Sequence, residues 1–270
     1  MFRRRFAGSS ALDADDAAEI ERVLERASRA VDDHCHRNFY ALTATRVFDG
    51  NGDSRMWIPD LLAVTSVKFD EDGNRVFELS LAAATDYFLK RPGHDDEDAL
   101  PRTMIILDDV NGQRSSFTCR ERLVEIVGRW GYTEAVERIV PTITLADGAT
   151  ETATLSAAGD VQNGQTLRVS ASSEQVYVRS GGGTTTLTVT RGVNGTTAAG
   201  AAGAAVDRFV YVDAVVEATL IMASRRWKRR EQQFASVTSS PSGFEVARAM
   251  AVDPDVQMDL SHLVRGDGMV

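Results

Sequence analysis

PTITLADGATETATLSAAGDVQNGQTLRVSASSEQVYVRSGGGTTTLTVTRGVNGTTAAGAAGAAV, residues 141–206, decides how the chain is read. It holds thirteen threonines and only seven charged residues in 66 positions, whereas the flanks are rich in Arg, Asp and Glu. Short Thr/Val-rich runs at 150–155, 166–169, 175–178 and 186–190 are separated by Gly, Asn and Asp turns, which predicts small antiparallel β structure. Gly181-Gly182-Gly183 falls between two of these runs with no helix after it to receive a phosphate, and predicts a hairpin loop. The composition break therefore predicts a β-module at 142–206 inserted into a host made of residues 1–141 and 207–270.

The host begins with an amphipathic helix over 13–35. Ile20, Val23, Leu24, Ala27, Val31 and Cys35 recur at helical spacing, and Glu21, Arg22, Glu25, Arg26 and Arg29 occupy the other face. Asp13 is the expected N-cap, and Asp15 and Asp16 suit the positive end of the helix dipole. Strand signals follow at 45–48, 56–58, 64–69, 87–89, 103–107 and 123–127, broken by turn-formers such as Asp49-Gly50-Asn51-Gly52-Asp53. An acidic surface loop is expected at His94-Asp95-Asp96-Glu97-Asp98. A second helix starts near Asp213, with Val216, Leu220, Ala223 and Trp227 on one face and Arg225, Arg226, Lys228, Arg229 and Arg230 in its last turns. Residues 236–243 predict a flexible link, and 255–264 a short amphipathic segment carrying Val256, Leu260, Leu263 and Val264.

With 270 residues and 43% hydrophobic content, the chain has material for one or two packed domains. Its net charge of −9 disfavours broad nucleic-acid binding, although a local basic patch remains open. No apolar run reaches the ~18 residues of a membrane span, and Asp13, Asp15 and Asp16 follow the basic Met1-Phe2-Arg3-Arg4-Arg5 start where a secretory signal needs an apolar stretch. The two cysteines, Cys35 and Cys119, are expected to be reduced.

The chemistry-bearing residues form no recognisable catalytic set. His34-Cys35-His36 lacks the converging spacing that zinc needs, because neighbouring helix residues point in different directions. Asp70-Glu71-Asp72-Gly73-Asn74 lacks the register of a calcium loop and predicts a solvated turn. Nucleophile elbow, phosphate-cradling loop and His-Glu-x-x-His patterns are missing from the sequence. No catalytic residue, cofactor or metal ligand is therefore assigned. The Arg225–Arg230 cluster exceeds what its helix dipole explains and is a candidate charged interface, facing DNA or an acidic partner.

Once residues 142–206 are set aside, the order of parts resembles the head–tail adaptor (connector) family of tailed bacteriophages. Cys35-His36-Arg37-Asn38-Phe39 is similar to the family's helix ending in Cys-x-Arg-x-Phe. Ile58-Pro59 followed by Val64-Thr65-Ser66-Val67 resembles its strand entry, Asp86-Tyr87-Phe88 its Asp-Tyr element, and the strand closing on Gly131-Tyr132 its Gly-Tyr turn. Val140-Pro141 is similar to the opening of its second long helix, displaced here to Asp213. Within the insert, residues 187–196 resemble a small β-module of phage structural proteins.

The resemblance implies an α+β fold: a helical adaptor core with β-hairpins or a small sheet, plus the inserted small antiparallel β domain. It implies a non-enzymatic structural protein of the virion neck. Copies would form a ring, typically of twelve, under the portal and around the DNA channel, and receive the tail or its stopper protein. Self, portal and tail-completion protein are thus the expected partners, with DNA nearby and no membrane. The 255–265 segment, through Val256, Leu260, Leu263 and Val264, is the candidate portal-docking element. The insert is expected to be an autonomous module on the outside of the ring. Two alternatives stand beside this reading: a surface-binding module acting through the inserted β domain, and a hydrolase with a site between the domains.

Overall fold

The computed structural model describes residues 14–93, 100–231, 237–240, 243–246 and 254–265. The expected Asp13 cap, the acidic loop at 94–98 and the side chains of Arg229 and Arg230 lie outside the described residues. The chain divides into two compact units. One is Met1–Arg37 with Val212–Gly266; the other is Asn38–Tyr211 with Asp267–Val270.

The first unit is helical. Helix α1 (Ala14–Cys35) packs along α2 (Asp213–Glu231), and the short α3 (Pro254–Leu260) packs against α2. Ile20, Val23, Ala27, Val31 and Cys35 are buried, as their spacing along α1 dictates. Helix α2 is buried on two sides rather than one. Leu220, Ala223 and Trp227 form the stripe legible in sequence, but Val215, Ala218 and Met222 are buried as well. Strands β13 (Val237–Ser240) and β14 (Gly243–Val246) pair antiparallel; the first lies within the 236–243 stretch expected to be a flexible link, and the second begins at its end.

The second unit contains an open sheet and a closed barrel. The sheet comprises β1 (Leu42–Phe48), β2 (Arg55–Phe69), β3 (Leu79–Leu81), β4 (Tyr87–Lys90), β5 (Arg102–Leu107) and β6 (Val124–Trp130). Its order is β1-β6-β2-β5-β4, with β3 paired to β2, all antiparallel. Alternation places Ile58, Leu61, Val67, Phe69, Ile105, Leu107, Val124, Ile126 and Trp130 on one face, where Phe117 completes the core. The Trp130 indole N–H donates to Ala44 O at 2.9 Å, and the Arg46 guanidinium lies 4.6 Å above the ring. Gly128 is required by close packing: a Cβ there would meet Ala63 O at 2.5 Å.

The barrel comprises β7 (Val136–Leu145), β8 (Thr152–Leu155), β9 (Thr166–Val169), β10 (Gln175–Ser180), β11 (Thr186–Thr190) and β12 (Ala201–Phe209), closed in the order β10-β11-β8-β7-β12-β9. Short aliphatic side chains fill it, among them Ile143, Leu145, Leu167, Val169, Val176, Val178, Leu187, Val189 and Val206, all fully or almost fully buried. Apolar residues alternate with exposed threonines along β8 and β11, so each strand gives one face to the interior and one to solvent. Closure leaves no edge strand to pair with another chain.

This architecture corrects the expected fold class. Among the described residues strand accounts for 38% and helix for 20%, so the protein is predominantly β and not a helical adaptor core carrying hairpins. The physical reason is visible in two places. Residues 55–69, interrupted by Pro59, form one long strand. The interruption is absorbed by a bulge between Trp57 and Leu61, where the missing amide N–H removes no ladder bond. Val140-Pro141, similar to a helix opening, lies inside strand β7 next to a register shift against β12. The Ala/Gly-rich return at 201–209 is likewise a strand, because β7 and β9 flank it on both sides.

Candidate interaction surfaces

The four residues expected to dock a portal fall in the helical unit. Val256, Leu260 and Leu263 are buried, while Val264 is partly exposed. The segment is anchored where the Arg265 N–H donates to Cys35 O at 3.0 Å. Three of the four side chains are thus buried within their own chain, and the apolar surface this segment offers to solvent comes from Met258 and Val264. Docking by the buried three would require the segment to leave its seat.

The described part of the Arg-rich end of α2 is divided between the surface and a groove. Arg225 and Lys228 are exposed, and Arg226 lines a groove against α1. That groove, of about 820 Å³, is bordered by Glu19, Glu25 and Asp33 and by Arg26, Arg29 and Arg226, around Val23 and Ala30. Arg29 pairs with Glu25 at 3.4 Å and with Asp32 at 3.1 Å. Equal numbers of cations and carboxylates around a small apolar floor suit a polypeptide side-chain surface better than one anionic ligand.

His34, Cys35 and His36 do not converge. Cys35 is buried, His36 is exposed at the helix end with φ of 52°, and His34 lies between these extremes. Burial pushes the Cys35 thiol up to about 11, with Asp32 adding to the rise and Arg37 opposing it; such a thiol is a poor nucleophile. Both cysteines are free. Asp70, Asp72 and Glu78 do bring oxygens within 4.8 Å of one another. Those of the two aspartates bind the turn itself. Asp70 accepts from the Gly73 and Arg75 N–H groups at 2.7 and 2.8 Å, and Asp72 accepts from Asn74.

The most elaborate polar constellation was not anticipated. Glu174 and Arg191, both buried, form a two-pronged pair at 2.8 and 2.9 Å. Arg191 also donates to Asp147 O, Thr150 O and Ala199 O, and Glu174 accepts from the Gly192 and Ala199 N–H groups. Burial tends to raise the Glu174 carboxyl, but these bonds prevail and hold it below its ordinary value. The network fixes the Arg191-Gly192-Val193-Asn194-Gly195-Thr196 loop and aims it at the sheet. Asn194 donates to the Gln175 side chain at 2.8 Å, and Gln175 in turn donates to Ala41 O at 3.0 Å. Gly195 sits against β1 so closely, at φ of 73°, that a Cβ would meet Thr43 O at 2.0 Å. The loop therefore clamps the barrel to the terminal strand of the sheet.

The chain matches no protein-family model, no curated protein and no solved structure.

Proposed function

We propose that the protein is a structural adaptor of a tailed phage or phage-like particle, acting as a ring subunit between portal and tail. The observation that carries a structural rather than catalytic role is where its perturbed carboxylates are engaged. Asp70, Asp86, Asp108, Asp147, Glu174 and Asp207 are all held below their ordinary acidity range. Each binds backbone N–H groups or arginines of the fold itself. Asp86, for example, accepts from Ala82 N–H and Gln113 N–H, and Asp207 from Arg138 and Arg168. Turn and ion-pair networks of this kind shift carboxyl groups for structural reasons. The order of sequence motifs and the mixed-charge helical groove add support. Mixing the purified chain with the portal of the same particle should give a ring-sized complex by mass photometry and negative-stain imaging. A chain that never joins the portal ring would overturn the reading.

A second reading is favoured by one observation. On the outside of the barrel, register places Thr144, Thr154 and Thr186 in one row and Thr152 and Thr188 in the next, all exposed and uncharged. Such a face suits a neutral partner, in keeping with a surface-binding module. Binding of the isolated chain to glycans without any portal would favour it.

A further inference from the structure

Helix α1 carries a second seam beside the one it buries. Ile20, Ala27, Val31 and Cys35 are committed to the packing of the helical unit. Glu19, Val23, Arg26, Ala30 and Asp33 follow one another at alternating steps of four and three residues, the spacing at which one helix faces another along a continuous seam. These residues line the groove of about 820 Å³ beside α2, where Arg226 forms the other wall. The seam runs about 21 Å, or roughly four turns of helix. Its layers alternate in kind. Val23 and Ala30, seven residues apart, give a small apolar floor; Glu19, Arg26 and Asp33, also at intervals of seven, carry the signs minus, plus, minus. Glu19 shares its charge with Arg22 at 3.5 Å, whereas Arg26 and Asp33 are exposed and form no ion pair among the described residues.

We infer that this groove is the seat of a helix from another protein, one that presents a cation, a carboxylate and a cation at heptad intervals with small or aliphatic side chains between them. Shape sets the class of occupant: a groove that follows one helix, floored by Val23 and Ala30, lets a second helix approach closely. Charge sets its identity. A helix of any other charge order would bring like charges together or cover Arg26 and Asp33 with apolar surface, and both are costly once water is excluded. The complementary order turns each charged layer into an ion pair, and such layers fix the register of the two helices. A second copy of the seam does not supply that order. Two seams in full overlap oppose Arg26 to Arg26, and Glu19 to Glu19 or Asp33, whichever way they run. The inference deepens the adaptor reading and rests on it in placing the helix on the portal, but the groove itself is probed without the portal.

The test is methyl NMR of the full chain titrated with two peptides stapled as helices. One faces Val23 and Ala30 with leucine and carries Lys, Glu, Lys at the charged layers; the other carries Glu, Lys, Glu. The first should shift the Val23 and Ala30 methyl signals saturably, and the second should leave them in place. Arg26→Glu should weaken the first peptide about tenfold or more with unchanged far-UV circular dichroism, and that variant should instead take up a Lys, Lys, Lys peptide. No shift with the first peptide, or equal shifts with both, would overturn the inference. So would methyl signals that move with the concentration of the chain alone, which give the groove to a second copy, or binding that requires removal of residues 1–13, which gives it to the chain's own N-terminal segment. Portal assembly untouched by Arg26→Glu would overturn the placement of the helix on the portal. A chain that takes up the first peptide but never joins the portal would instead overturn the adaptor reading alone.

Discussion

The sheet and the barrel are both antiparallel and both filled with aliphatic side chains, yet they handle buried charge in opposite ways. In the sheet, Asp70, Asp86 and Asp108 cap turns through backbone N–H groups, most of them within a few residues. In the barrel, Glu174 and Asp207 bind arginines from distant parts of the chain, Arg191, Arg138 and Arg168. A turn cap steadies one loop, and its loss is local. A cross-chain buried pair holds several loops at once, and removing one partner strands the other in a poorly solvated site. The barrel is therefore the more brittle region, although it is closed and its core is apolar.

The sharpest way to break the barrel alone is Arg191→Leu. It leaves Glu174 buried without its cation and should cost about 3–5 kcal/mol, read as a lower urea midpoint by far-UV circular dichroism. The double variant Glu174→Gln/Arg191→Leu should recover part of that loss. Next in size is Gly195→Ala at the clamp, where a left-handed backbone and the Thr43 carbonyl both resist a Cβ; a loss of about 1–3 kcal/mol is expected. It should be accompanied by faster hydrogen exchange at Ala41 and Thr43, and unchanged exchange there would remove the clamp from the account. In the sheet, Asp70→Asn should do less, because the amide oxygen still accepts from one of the two N–H groups; its urea midpoint should lie between those of Gly195→Ala and wild type.

Acidification sharpens the same contrast. The folded-state pKa values of Glu174 and Asp207 are lowered from their ordinary 4.5 and 3.8, by bonds that outweigh the effect of burial. Their contribution to stability is therefore complete above those values and lost as pH falls through the folded-state values. An acid titration followed by circular dichroism should show the wild type losing barrel structure in that window, and the Glu174→Gln/Arg191→Leu variant should show a shallower dependence on pH. The smallest effect belongs to Glu151→Gln. Its pair with Arg179 is solvent-exposed, so a change within about 0.5 kcal/mol is expected, and a larger one would show that exposed pairs also hold the barrel.

Much of the local structure was legible, and the reason differs by element. Helix α1 declares itself because one side of it is buried and the other wet. Strands β9 and β11 do so because apolar residues alternate with polar ones between turn residues. Helix α2 was read with only one of its two buried sides, since burial on both sides dilutes the periodicity that marks a stripe. The continuity of β2 was hidden by Pro59, whose lack of a donor argues against a strand unless a bulge waives the need for it. Strands β7 and β12 were missed because Pro141 and the Ala/Gly run lack β propensity; their pairing partners, far away in sequence, determine them. Glu174 and Arg191 left one readable trace. They are two of only seven charges in an otherwise neutral stretch, each next to a strand that faces a dry interior.

The placement of the tryptophans has an optical consequence. Trp57 lies on the outer face of the sheet, Trp130 in its core and Trp227 in the helical unit, whereas strands β7 to β12 contain none. Intrinsic tryptophan emission therefore reports on the sheet and on the helices but is blind to the barrel. A fluorescence melt and a circular dichroism melt of the same sample observe different parts of the molecule. A gap between their midpoints would measure how independently the barrel unfolds from the sheet to which its Asn194-Gly195 loop clamps it.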